Sequence, residues 1–312
     1  MKKTIAVLTS AIILACILMF IPNEKVYTDR LIINCTPTAA TRIMSDFQQW
    51  KSWWPGEIKN DSTVEYNNNI FVVNNILLNG FYCSAVINKM PVFADIQFLS
   101  APNKQTEFIF SYTVNYASNP FKRLIQFLQN KSLKEVLTRF NNEIKSNLED
   151  VKKVYGFEIN EERVPNAIHI SIKKIFNNYP SNEDIYNLVD KLKAYANTKG
   201  AKTINHPIYN IFSPDDYQYQ LMVAIATDRP VPSNNEFLYK EMVRGKIIVG
   251  KAVGPNKTIN DCLKQVEYFV KDHGRSSPAI QFNRLITDRR AEKDSSKWVT
   301  TVNYPVFDRS FF

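Results

Sequence analysis

The 312 residues specify an α+β protein made of two dissimilar modules after an apolar N-terminal segment, and three observations carry that expectation. The second half repeats itself at a shift of 74 positions. Short stretches in both halves alternate apolar and polar residues, the period of half-buried antiparallel strands. Between them lie amphipathic segments with apolar residues at three- and four-residue spacing, the period of helices packed on a sheet. A composition of 45% hydrophobic and 22% charged residues is globular, and 8 Gly and 15 Pro without period exclude collagen-like or low-complexity chains.

At the N-terminus, Lys2 and Lys3 precede an uncharged run from Thr4 to Ile21, closed by Pro22, Asn23, Glu24 and Lys25. The run has no small-residue cleavage site, and residues 5–21 at ~1.5 Å per residue reach across a thin hydrocarbon core. An uncleaved single-pass anchor (1–23) is therefore expected, with the basic end cytoplasmic and the soluble part exported to the periplasmic side of a bacterial cell membrane. A lipoprotein cut before Cys16 fits less well, because Leu14 is bulky and the residues after Cys16 are apolar.

The first soluble module spans 24–155. Lys25 to Cys35 reads as a strand, and Thr36 as an N-cap ahead of Pro37 at the first helical position. Ala40, Ile43, Met44 and Phe47 share one helix face, which ends in Trp50, Trp53, Trp54 and Pro55. Four alternating stretches follow, Asn69–Leu78, Phe81–Ile87, Phe93–Leu99 and Thr106–Tyr116. After them come an amphipathic helix through Phe121, Leu124, Ile125 and Leu128 and a restart at Ser132, where Glu135 completes a capping box. Strand, short helix with W-x-x-W-W-P, sheet and long terminal helix, opening on "VYTDRLIINCTPTAATRIMSDFQQWKSWWP", resembles the START/polyketide-cyclase-like (SRPBCC) helix-grip superfamily over about 130 residues. The resemblance implies a sheet wrapped round the last helix and an apolar cavity, with Trp50, Trp53 and Trp54 as candidate ligand contacts; core packing is the competing role for all three.

The second module spans 156–312. Ile185, Leu188, Val189, Leu192 and Ala196 shift by 74 onto Ile259, Cys262, Leu263, Val266 and Val270, and Gly200 shifts onto Gly274 at an expected helix C-cap. Each helix follows a strand (Ala167–Ile175, Gly245–Val253) and precedes two more (Pro207–Phe212 and Tyr217–Ala226; Ala279–Thr287 and Lys297–Val306). Two βαββ units bury their helices on one side of a joint sheet and leave a groove where they meet. "KAVGPNKTINDCLKQVEYFVKDHG", "LITDRRAEKDSSKW" and "TTVNYPV" resemble the effector-binding domain of AraC-type activators and gyrase-inhibitor-like (GyrI-like) proteins. That resemblance implies a small-molecule ligand. Asn283 stands where the family often has an acid, two positions before L-I-T-D. A neutral amide offers hydrogen bonds but no charge, so a neutral, partly apolar ligand is expected in place of a cation. Candidate contacts are Tyr217, Tyr219, Phe282, Asn283, Trp298 and Tyr304.

A net charge of +9 is spread out: the densest basic stretch, Lys122 to Lys153, has eight cations and four acids at helical spacing. No nucleic-acid partner is expected, and no helix-turn-helix precedes the second module. Four cysteines without C-x-x-C, and three separated histidines, hold no metal pattern, and no cofactor or catalytic motif is present. A Cys35–Cys83 disulfide is compatible with export. The expected function is membrane-anchored small-molecule binding. The alternatives are a hydrolase or cyclase-like enzyme using Glu241, Asp288 and Tyr304, and a partner-docking adaptor without ligand.

Overall fold

The computed structural model describes residues 21–164, 168–213, 217–242 and 244–307. The expected membrane span lies outside these residues except for Ile21. No helix among the described residues is long and apolar enough to cross a membrane. The chain is α+β and divides into two compact units, one ending at Val154 and one beginning at Tyr155.

The first unit is a seven-stranded antiparallel sheet. Strand β1 (Glu24–Ile33) pairs with β7 (Thr106–Asn115), followed in order by β6 (Met90–Ser100), β5 (Gly80–Ile87), β4 (Asn69–Leu77), β3 (Thr63–Tyr66) and β2 (Glu57–Asn60). Helix α1 (Pro37–Ser45) starts as its sequence dictates, with Thr36 Oγ1 accepting from the Ala39 N–H at 3.3 Å. The short α2 (Trp50–Trp53) opens the W-x-x-W-W-P stretch, and Trp54 is its C-cap. Helix α3 runs unbroken from Pro120 to Glu149, which corrects the expected restart at Ser132. The Asn119 side chain caps it through the N–H groups of Phe121 and Lys122, and Ser132 Oγ accepts from Asn88 Nδ2 at 3.3 Å instead of capping a helix. A capping serine stops helix only where the preceding residues leave helical geometry, and here the ladder continues through it. The C-terminal half of α3 buries Leu133, Leu137, Phe140, Ile144 and Leu148; Phe121, Ile125 and Leu128 in the N-terminal half are exposed.

The second unit opens at Tyr155, the last residue of α4 (Val151–Tyr155), and its sheet has eight antiparallel strands. They are β8 (Glu158–Arg163), β9 (Ile168–Phe176), β10 (Ile208–Phe212), β11 (Tyr219–Ala226), β12 (Phe237–Glu241), β13 (Lys246–Val253), β14 (Phe282–Leu285) and β15 (Val299–Val306). The order β12-β9-β11-β10-β14-β15-β13-β8 is a near-palindrome. The two repeats meet at β10 and β14, and β12 and β8 extend the two edges. Helices α5 (Asn182–Thr198) and α6 (Asn256–Asp272) begin and end 74 residues apart, and Gly200 and Gly274 both take left-handed φ (69° and 56°) beyond their C-caps.

Both helices pack on one face of this sheet. Alternate residues of β9 and β11 (Ile170, Ile172; Leu221, Val223, Ile225) meet Ile185, Leu188, Val189 and Leu192 of α5 in one core. Gly250 of β13 lies against Val266 and Cys262 of α6 so closely that a Cβ there would stand 2.5 Å from the valine methyl. Cys83 is a buried reduced thiol on β5, and Cys35 Sγ donates to the Thr36 carbonyl, so the disulfide allowed by the sequence is not formed.

Candidate ligand-binding site

Strand alternation assigns the four candidates that lie on strands of the second unit, Tyr219, Phe282, Asn283 and Tyr304, to a face. Tyr219 shares the helix side with Leu221. Asn283 pairs with Tyr209 and shares the helix side with Leu285, and Tyr304 pairs with Ile248. Tyr304 also feels Glu267 of α6, and burial together with that charge raises its pKa. Trp298, just before β15, lies over the Arg289 guanidinium at 4.8 Å. Tyr217 precedes β11 and is 82% exposed. Of the four on strands, Phe282 alone points to the opposite face, with Ile247 and Val249.

That opposite face holds a cavity of about 370 Å3. Its floor is built by the residues that alternate with the helix-facing ones: His169 and Ser171 of β9, Met222 and Ala224 of β11, Ile208 and Asn210 of β10. Walls come from Lys240, Glu241 and Met242 at the end of β12, from Ala279 to Phe282, and from Val164 and Pro305. Ile247, Val249 and Phe282 form a small core beside it, with Ile208, Val164 and Met242 packed against them. Most of the lining is apolar. The polar groups are partly committed: Ser171 Oγ donates to the Leu238 carbonyl at 3.0 Å, and Asn210 Nδ2 donates to the Gln281 carbonyl at 2.8 Å, which ties the floor to a wall. Such a site orients a small molecule by a few hydrogen bonds and holds it by apolar contact.

The groups expected to support acid–base chemistry are not brought together. The Glu241 carboxylate accepts from the Tyr239 hydroxyl, Asp288 pairs with Arg290, and Tyr304 sits against α6. Ser171, beside His169 on the cavity floor, has its hydroxyl proton directed at a backbone carbonyl. Among the described residues no cluster of His, Cys, Asp and Glu has the arrangement of a metal site.

In the first unit, Trp50 and Trp53 are fully buried and Trp54 is 4% exposed. Trp50 stacks on Trp54, and Phe71, Phe81 and Phe140 close round the three indoles. Trp50 Nε1 donates to the Met44 carbonyl at 2.7 Å. Aromatic side chains occupy this region, and the three tryptophans act as its core.

Two features of the second unit had no signal in the pattern of the sequence. One is the cavity itself, whose lining comes from seven separate segments. The other is Arg289, 5% exposed, which a charged R-R pair beside a turn would place at the surface.

No family model matches the chain, and no curated protein does. Among solved structures, the chain is similar to the EcmrR C-terminal domain (12% identity, 48% of this chain and 97% of that one, TM-score 0.42). It is also similar to a hydrolase from Listeria innocua encoded by lin2189 (16%, 48% and 91%, TM-score 0.37). A third similar structure is SAV2435 bound to tetraphenylphosphonium (13%, 48% and 93%, TM-score 0.34).

Proposed function

We propose that this chain is a membrane-anchored small-molecule-binding protein whose second, effector-binding-like unit takes a neutral, largely apolar ligand. The observation that carries the reading is the cavity of about 370 Å3, apolar in most of its lining and enclosed by segments of both repeats. Helix-grip architecture for the first unit belongs to the same proposal and rests on the sequence resemblance and on the sheet packed against α3. Anchoring through residues 5–21, with both units on the periplasmic side, rests on the apolar run. The exposed stripe of Phe121, Ile125 and Leu128 supports it, because Arg123 Nη1 in the same stretch of α3 donates to the Ile21 carbonyl at 3.2 Å, beside the end of that run.

Native mass spectrometry of the gently purified chain, with any bound mass identified, tests the ligand. Ala224→Phe fills the cavity floor and is expected to remove the bound mass while the far-ultraviolet circular dichroism is retained. Retention of the same mass by a folded A224F chain would place the ligand elsewhere. Protease accessibility in spheroplasts tests the orientation, and full protection before lysis would reverse it.

A further inference from the structure

Helix α3 changes character at Leu133. From there on it buries an apolar face against the sheet, where Phe140 packs on Tyr66 and Phe71, yet no residue from Ala117 to Ser132 is buried. Phe121, Ile125 and Leu128 recur at i, i+4 and i+7 and so form one stripe; they are 61%, 56% and 70% exposed. Contiguous exposed apolar side chains of this kind mark a contact with a protein or a membrane. The segment is nevertheless held in place. The Ala117 N–H donates to Gln126 Oε1 at 2.7 Å, Asn130 Nδ2 donates to the Tyr116 hydroxyl, and Asn88 Nδ2 donates to Ser132 Oγ at 3.3 Å. The stripe is a fixed feature of one end of the first unit.

Charge chooses between the two partners. No Asp or Glu occurs between Glu107 and Glu135, a stretch that carries Lys122, Arg123, Lys131 and Lys134. Strand register brings two more cations to the same end. Lys25 of β1 pairs with Val114 near the end of β7, and Val92 of β6 pairs with Val114 from the other side, which places the turn of Asn88 and Lys89 there as well. Lys25 Nζ also lies over the Phe127 ring at 5.7 Å. Register adds a single carboxylate, Glu24. An apolar stripe flanked by cations on an acid-free stretch of helix suits the boundary of an anionic bilayer, where the stripe sinks to the acyl chains and the cations meet phosphates. The helix also starts at the right height. Arg123 Nη1 donates to the carbonyl of Ile21, the last residue of the uncharged run from Thr4, so the stripe begins within one arginine side chain of that run's end.

We propose that the N-terminal half of α3, with Lys25 and Lys89 beside it, is a docking surface for anionic phospholipid, through which the first unit lies against the bilayer. The surface rests on the anchoring reading above, because the anchor sets its height, and adds to it a second contact that depends on lipid charge. The test places the full-length chain on vesicles of phosphatidylcholine alone and of phosphatidylcholine mixed with phosphatidylglycerol, and follows hydrogen exchange of the amides from Ala117 to Ser132 by mass spectrometry. Each basic residue near an anionic surface strengthens partition about fivefold, so exchange is expected to slow by about tenfold or more on the mixed vesicles relative to the neutral ones. A triple variant, Lys89→Gln with Lys122→Gln and Lys131→Gln, changes exposed side chains only and should exchange at the same rate on both. Equal exchange of the unmodified chain on the two vesicle types, or protection kept by the triple variant, would overturn the surface. Anchoring is read separately, by flotation with the neutral vesicles, which needs the apolar run and none of these lysines. A chain that does not float there refutes the anchor; the mixed vesicles must then still recruit it from solution and protect the same amides, and failure to do so overturns the surface too.

Discussion

Gly250 shows how tightly one residue couples sheet and helix in the second unit. A methyl there would stand 2.5 Å from Val266 Cγ2 and 2.8 Å from Cys262 Sγ, both short side chains rooted on α6. The helix as a whole would have to lift. Gly250→Ala is expected to cost about 1–3 kcal/mol in denaturant unfolding, the range for overpacked cores. Part of that should return when Cys262→Ala is added, and a strictly additive pair would exclude the contact as the cause. The same cysteine predicts a pH effect. Burial pushes the Cys262 and Cys83 thiols up to about 12, whereas in the unfolded chain a thiol titrates near 8.5. Between those values the unfolded state releases protons that the folded state keeps. Stability is therefore unaffected below the lower value and falls as pH rises above it, by up to about 1.4 kcal/mol per pH unit for each thiol. Denaturation midpoints from pH 7.5 to 10.5 should show this slope, shallower in C262A; equal slopes in the two chains would count against it. Residues of this kind are only half legible in sequence. Cys262 on an apolar stripe declares its burial, but Arg289 does not, because nothing in the string R-R shows that two asparagines 74 residues apart will meet one guanidinium.

At the scale of elements, the helices of the second unit were legible in place and in buried face, since an apolar stripe and a glycine cap recur at fixed spacing, although the first begins at Asn182, two residues before the stripe marks it. Their N-termini nonetheless differ. Ser181 and Asp184 form a complete capping box on α5, and the position 74 later is Pro255, without a side-chain acceptor. Ser181→Ala is therefore expected to cost about 1 kcal/mol, a typical cap, and Pro255→Ala distinctly less, both measured by urea unfolding; equal losses would mean that the box contributes nothing specific. The strands β8 and β12 were not legible. Glu158–Arg163 carries one buried side chain and four consecutive exposed charged or polar ones, so no alternation marks it, and its pairing with β13 supplies the order. Helix α3 erred in the other direction: Ser132 and Glu135 spell a cap, yet the helix runs through them. Its exposed N-terminal stripe gives a third test. Replacing Phe121, Ile125 and Leu128 together by Gln should leave folding stability within about 0.5 kcal/mol, as for surface sites. Flotation with anionic vesicles should fall, and unchanged flotation would assign membrane association to the N-terminal run alone.

At the scale of the molecule, each unit holds what a domain needs: its own sheet, its own helices and a core made from its own residues. The first core is an aromatic cluster round Trp50, Trp54 and Phe140. The second joins α5 to β9 and β11, and the two repeats of that unit are stitched at β10 and β14 by only two register pairs, Ile208 with Arg284 and Tyr209 with Asn283, with the Leu285 N–H reaching the Pro207 carbonyl at 3.0 Å. So short a seam does not explain a continuous eight-stranded sheet by itself. Arg289, bonded to the first residue of each repeat's helix, adds the second stitch, on the helix side. Tyr155, whose hydroxyl donates to Asp272 at 3.0 Å and whose ring packs on Phe269, closes the start of the unit onto the end of α6. A fragment of residues 155–312 is accordingly expected to unfold in one cooperative transition, with the same midpoint followed by far-ultraviolet circular dichroism and by Trp298 fluorescence. Asn182→Ala and Asn256→Ala, each removing one stitch partner, should lower that midpoint together. Two separated transitions in the unmodified fragment would show that the repeats fold as independent halves and that the guanidinium does not couple them.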